Sequence, residues 1–325
     1  MFVDLSMESL AAIGLLITLF FFFNGPRPRI DLFEIASSVP KNLSHEELVT
    51  WLSTKEGKLN VIPGAESVIE WAGEPKQTTK LCILYIHGFS ATRQEIAPTV
   101  SEVAKKFKAN VVYARLAGHG LNENQMEATA EDWMQTALES WDLATRVGHE
   151  VIIIATSTGA PISIWLQSDN KRAKTLKSLI FVSPNFRIRI PIGFLLTMPH
   201  SYKWIPWLIG KKRRWEPENE LVKKYWSSSY DTRAIIEMQK VVDWAEKYTP
   251  KRNIPLATFY VENDPTINHK SAIDYHNRWP SKQKELIKVD SGHLAPKHIF
   301  VGNISNPEKN DWFVQKCCEF IENKR

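Results

Sequence analysis

Ala155-Thr156-Ser157-Thr158-Gly159 is the stretch of this 325-residue chain whose residue types best suit nucleophilic chemistry. It follows the uncharged β-branched run 151–155 (VIIIA) and precedes an apolar helical pattern. Small residues two before and two after a serine are what a strained strand-to-helix elbow requires, because larger side chains there would collide with neighbouring backbone. Such an elbow lifts the hydroxyl off the sheet edge, and the helix N-terminus behind it favours developing negative charge. The common form carries glycine at the first small position, where this chain has Ala155. A serine nucleophile needs a base, and the base needs a carboxylate to orient it. Of nine histidines, His293 sits in Asp290-Ser291-Gly292-His293, just past the last expected strand. Asp264 lies in Glu262-Asn263-Asp264-Pro265, just past the strand at 256–261, with Glu262 and Asp290 as fallback acids. Loops beyond the carboxyl ends of strands are where open α/β sheets place their sites. Two backbone N–H groups must also face the charge that develops. Thr158, next after the serine, supplies one, and Phe89 of His87-Gly88-Phe89-Ser90 the other, since Gly88 lets the backbone approach closely. His87 is expected to hold that loop by side-chain hydrogen bonds rather than to act as the base.

These residues need a frame, and strand and helix patterns alternate from about residue 67. Residues 68–71, 81–86, 110–115, 151–155, 179–183, 256–261 and 285–289 read as strands, several apolar throughout, as in a sheet buried on both faces. Residues 94–108, 131–147, 158–167, 269–277 and 307–322 read as helices, and Ser44-His45-Glu46-Glu47 starts another by its capping-box character. The rhythm implies an α/β fold, a mostly parallel sheet wrapped by helices. It breaks between 185 and 253, a stretch holding five of the twelve tryptophans and the basic cluster Lys211-Lys212-Arg213-Arg214. That stretch reads as a mostly helical insertion.

Composition narrows the class. Hydrophobic residues are 43% and charged residues 24%, so the chain is globular rather than disordered or fibrous. Three cysteines cannot make a disulfide framework. The net charge of +5 comes from scattered Lys and Arg and does not mark a nucleic-acid partner. No metal-ligand spacing, C-x-x-C pair or phosphate-binding loop is present, so neither a metal nor an organic cofactor is expected. Residues 9–25 carry no charge, and ~17–25 apolar residues can span a bilayer. With acids before the run and Arg27, Arg29 and Lys41 after it, the expectation is a single-pass anchor with the bulk of the chain on the cytoplasmic side.

Together, HGFS (87–90), GHG (118–120), ATSTG (155–159), END (262–264) and SGH (291–293) resemble the α/β-hydrolase superfamily. The likeness is to its monoacylglycerol-lipase, lysophospholipase and carboxylesterase branch, over roughly residues 67–323. It implies Ser157 as nucleophile, Asp264 as acid, His293 as base, and Phe89 and Thr158 as oxyanion donors. It also implies a cap at 185–253, inserted after the sixth strand, on a core formed by 67–184 and 254–325. Residues 1–30 would be the anchor and flank, and 31–66 a connecting segment. Gly118-His119-Gly120 reads as a structural turn. The function implied is hydrolysis of acyl esters such as lysophospholipids or monoacylglycerols, with the membrane contacted through the N-terminal helix and the cap. An acyltransferase or serine aminopeptidase on the same triad, and a non-catalytic binding scaffold, are the alternatives.

Overall fold

Every residue of Val151–Ala155 is buried, as expected for a central strand packed on both faces. A computed structural model describes residues 7–290 and 295–323. In chain order its elements are α1 (Met7–Phe23), α2 (His45–Gly57), β1 (Val68–Glu70), β2 (Thr79–Ile86), α3 (Thr99–Phe107), β3 (Asn110–Tyr113), α4 (Ala130–Val147) and β4 (Gly148–Thr156). There follow α5 (Gly159–Ser168), α6 (Arg172–Thr175), β5 (Leu176–Val182), α7 (Ser201–Ile209), β6 (Lys212–Arg214), α8 (Glu220–Tyr225) and β7 (Ser229–Asp231). The series closes with α9 (Arg233–Lys247), β8 (Leu256–Val261), α10 (His269–Arg278), β9 (Lys284–Val289) and α11 (Asn310–Glu322).

Seven strands form one sheet in the order β1-β3-β2-β4-β5-β8-β9. Only β1 runs antiparallel to its neighbour. The two-residue period of the strands divides the core. Cys82, Leu84 and Ile86 of β2 with Val151, Ile153 and Ala155 of β4 face one layer, which includes Trp133 and Trp141 of α4. Leu81, Ile83 and Tyr85 with Ile152 and Ile154 face the other, built on α3 and α11. Helix starts follow local chemistry. Ser44 and Glu47 close a capping box on α2, and Thr129 and Asp132 close one on α4. The single helix expected at 94–108 is divided into a 3-10 turn at Arg93–Ile96 and α3, because the residue before Pro98 is excluded from helical backbone.

Between β5 and β8 lie α7, β6, α8, β7 and α9, with β6 and β7 paired antiparallel. The insertion therefore leaves after the fifth strand in chain order, not the sixth, and it includes a small antiparallel sheet besides its helices. Helix α9 is locked to α4. Lys240 of α9 reaches Glu131 at 3.0 Å, and Glu237 accepts the Ala130 amide at 2.9 Å. The segment before the sheet is equally tied down by the buried bidentate pair Arg115–Glu56, at 2.6 and 2.9 Å.

The structure does not support the expected membrane span. The apolar run does form a helix, α1, which begins at the first described residue. Among the described residues no helix is long and apolar enough to cross a membrane. The chain just past α1 touches the insertion, where the His200 amide donates to the Pro26 carbonyl at 2.9 Å.

Candidate active site

Ser157 has φ +49°, a left-handed conformation that a non-glycine residue holds only when its surroundings impose it. The surroundings here are the Val182 carbonyl, which accepts the Ser157 amide at 2.9 Å, and the Asn185 amide, which donates to the Ser157 carbonyl at 3.0 Å. The elbow between β4 and α5 also demands a small residue two positions on. A Cβ on Gly159 would lie 2.3 Å from the Ile86 carbonyl oxygen and 2.9 Å from that of His87. Both obstacles are backbone, so neither can swing aside. Gly159→Ala is therefore expected to lower stability by about 1–3 kcal/mol, the usual cost of overpacking. Urea denaturation against the parent chain measures it, and an unchanged midpoint would contradict the close approach.

The Ser157 hydroxyl donates to His298 Nε2 at 2.9 Å. His298 Nδ1 lies 2.8 Å from Asp264 Oδ2. The other carboxylate oxygen, Oδ1, accepts the amides of Thr266 at 2.7 Å and Ile267 at 3.0 Å. Burial alone would raise the Asp264 pKa, but His298 and those two amides outweigh it and hold the carboxyl below its ordinary range. An ionised carboxylate only accepts hydrogen bonds. The His298 proton therefore sits on Nδ1, which leaves the Nε2 lone pair for the serine.

The sequence expectation placed a different imidazole here. His293 lies outside the described residues, and the histidine joined to both Ser157 and Asp264 is His298. Strand β9 ends at Val289. His298, nine residues further on, lies at the site. Two features hold His298 there. The Ser183 hydroxyl at the end of β5 donates to the His298 carbonyl at 2.8 Å, and the following Phe300 and Val301 are buried in the core. Among the fallback acids, Glu262 is exposed and ion-paired with Lys288, away from the relay.

The loop after β2 borders the serine. A Cβ on Gly88 would lie 3.1 Å from Ser157 Cβ, so this backbone and the elbow are in near contact. His87 fastens the loop as expected. Its Nε2 accepts the Leu116 amide at 3.1 Å, and its Nδ1 donates to the Gly88 carbonyl at 2.8 Å. Burial lowers the His87 pKa to about 4, which keeps the ring neutral in this role. Among the described residues, neither the Phe89 nor the Thr158 amide donates to another protein group. Both residues line the cavity that opens over Ser157. Gly118 and Gly120 adopt φ +74° and +64°, the turn expected of that motif.

The cavity has a volume of about 440 Å³. Its floor is Ser157, Thr158, Phe89 and His298, and the insertion contributes Ile188, Trp215, Val222, Trp226, Tyr230 and Met238. Lys297, Glu218 and Ser305 make one side polar. Glu95, almost fully buried, also borders it and had no sequence signal to single it out. The arrangement has the parts needed to attack a carbonyl carbon: a serine hydroxyl, a base that an acid orients, and free amides beside them.

No curated protein matches the chain in sequence. Among solved structures it is similar to one reported for LipS and LipT, two metagenome-derived lipolytic enzymes. That likeness has a TM-score of 0.64 at 17% identity and covers 81% of this chain and 99% of that one. It is similar to the monoacylglycerol lipase of Paleococcus ferrophilus, with a TM-score of 0.60 at 12% identity, over 80% and 98% of the two chains. It is also similar to a soluble variant of monoglyceride lipase from Saccharomyces cerevisiae, with a TM-score of 0.59 at 11% identity, over 80% and 91%. At such identities these likenesses establish the α/β-hydrolase fold. Residues 77–293 match the family described as serine aminopeptidase, S33. The chain belongs to that family and is a serine hydrolase of the α/β-hydrolase superfamily.

Proposed function

We propose that this chain hydrolyses carboxylic acyl esters, with lysophospholipids, monoacylglycerols or related lipids as substrates. The observation that carries the reading is the Ser157–His298–Asp264 relay under a cap-lined apolar cavity of about 440 Å³. The sequence of events follows from the geometry. His298 Nε2 takes the serine proton as Oγ attacks the ester carbonyl. Asp264 stabilises the imidazolium, and the Phe89 and Thr158 amides receive the oxyanion. The imidazolium then protonates the departing alcohol, leaving an acyl-Ser157 ester. Water activated by the same Nε2 releases the acid. The aromatic and aliphatic cap residues suit an acyl chain, while Lys297, Glu218 and Ser305 suit a polar head.

Contact with a membrane surface, rather than a span, is part of this reading. Trp207, Leu208 and Ile209 at the end of α7 are exposed, and the exposed basic residues Lys211–Arg214 follow directly. Exposed apolar groups beside basic ones favour an anionic interface. The location proposed is the cytoplasmic face of a membrane. A second reading, a serine aminopeptidase, is favoured by the family's own description, with Glu218 as the acid that would meet a substrate ammonium.

A panel of esters from acetyl to long-chain acyl, with aminoacyl anilides alongside, separates the readings. Turnover rising with acyl length supports the lipid ester reading. Turnover confined to the anilides would replace it with the peptidase. Ser157→Ala is expected to abolish covalent labelling by an alkyl fluorophosphonate, and labelling that survives would remove the mechanism.

A further inference from the structure

Glu95 is a carboxyl group that the mechanism above leaves unused, although it borders the reacting serine. It is 1% exposed and sits in the 3-10 turn that follows the loop after β2. Its Oε1 accepts the Gly88 amide at 2.7 Å and the Tyr85 hydroxyl at 2.7 Å. Tyr85 is tied on to Thr156, the residue before the serine, at 2.9 Å. One oxygen of Glu95 thus joins the two backbone segments that carry the anion-binding amides, the Gly88-Phe89 loop and the Thr156–Thr158 elbow. The other oxygen, Oε2, lies against Gly88, 3.2 Å from where a Cβ there would stand, and that same Cβ would be 3.1 Å from Ser157 Cβ.

We propose that Glu95 is a positioning residue for the oxyanion hole, holding the Gly88-Phe89 loop against the Ser157 elbow, and that it does so as the uncharged acid. The inference rests on the hydrolase reading of Ser157. Geometry sets the charge state that works. Oε2 and Ser157 Cβ lie 3.2 and 3.1 Å from one common point, so an anion at Oε2 would stand within about 6.3 Å of the carbon that carries the reacting hydroxyl, and like charges in a water-poor site oppose each other strongly. Among the described residues, those that shift the Glu95 pKa most include no lysine or arginine. The titratable groups facing Glu95 are Tyr85 from β2, whose hydroxyl burial keeps protonated, and His298 from the loop after β9. Arg93, on the same turn, is directed to Glu66. Burial pushes the Glu95 pKa up to about 7, against the lowering influence of the Tyr85 hydroxyl, the Gly88 amide and His298. The group is therefore neutral below about pH 7 and ionises above it. Oxyanion stabilisation should weaken over the same interval.

Glu95→Gln imitates the neutral acid, with a carbonyl oxygen for Gly88 and Tyr85 and an N–H in place of the acid O–H. Glu95→Ala removes the acceptor. On p-nitrophenyl butyrate at pH 6, Glu95→Gln is expected to keep kcat within about threefold. Glu95→Ala should lose about 10²-fold in kcat, the scale of one lost oxyanion donor, with KM nearly unchanged. Between pH 7 and 9 the parent kcat should fall about tenfold while that of Glu95→Gln stays level. The rate of Ser157 phosphonylation by an alkyl fluorophosphonate should show the same contrast. Glu95→Gln as damaged as Glu95→Ala, or pH profiles that superimpose, would overturn the inference while Ser157-dependent labelling of the parent upholds the hydrolase. Absence of that labelling in the parent would overturn both.

Discussion

His298→Ala lowers kcat by at least about 10³-fold, and His293→Ala leaves it within about threefold of the parent. The first expectation follows from what the ring connects. His298 is the one imidazole within hydrogen-bond reach of both Ser157 Oγ and Asp264 Oδ2 among the described residues, at 2.9 and 2.8 Å. Without it the serine keeps its proton at neutral pH, and the leaving alcohol has no acid to protonate it. Members of a triad act as a unit, so deleting the base costs nearly the whole triad contribution. The second expectation follows because two histidines cannot occupy one acceptor position. Steady-state kinetics on one soluble ester, with both variants beside Ser157→Ala, checks the pair. Loss of activity in His293→Ala with retention in His298→Ala would assign the base to the loop the sequence first pointed to.

What made Ser157 and Asp264 legible, and His298 not, is the range over which each position is determined. The elbow is decided within five residues: a buried strand arrives, a helix leaves, and Gly159 passes 2.3 Å from a carbonyl if given a Cβ. Asp264 follows the apolar strand β8 by three residues, and its own backbone neighbours, Thr266 and Ile267, supply its hydrogen bonds. His298 lies nine residues beyond β9, and a non-local hydroxyl, Ser183, holds its carbonyl. The loop carries two histidine signals, the short motif Ser291-Gly292-His293, which lies outside the described residues, and His298 before an apolar run. The apolar run Ile299-Phe300-Val301 directly after His298 is where the chain returns to the core, with Phe300 3% and Val301 0% exposed, and an anchored neighbour is what a base needs. The same contrast governs the ends of the fold. The sheet was readable from its apolar runs and two-residue period. The N-terminal apolar run is readable as a helix, and α1 is that helix. Glu95 was invisible because its meaning comes only from Tyr85 and Gly88 converging on one oxygen.

Asp264→Asn is the cleanest probe of the relay, and it should reduce kcat by about 10³- to 10⁴-fold at neutral pH with the fold retained. The backbone dictates the orientation of the new amide. Oδ1 of Asp264 receives two N–H groups, from Thr266 and Ile267. An asparagine can satisfy them only with its carbonyl oxygen, so its NH₂ must face His298 Nδ1. A donor there requires Nδ1 to accept, which moves the ring proton to Nε2. The Nε2 atom then points a proton at the Ser157 hydroxyl and cannot take one, so the geometry survives in the wrong tautomer. Asp264→Ala would be a poorer test, because it strands two buried amides and mixes lost stability with lost chemistry. Circular dichroism should be unchanged in Asp264→Asn, and fluorophosphonate labelling of Ser157 should slow in parallel with kcat. Retention of more than about a tenth of the parent kcat would mean that His298 does not depend on Asp264 for its proton, and the relay would have to be abandoned as the source of the serine's reactivity.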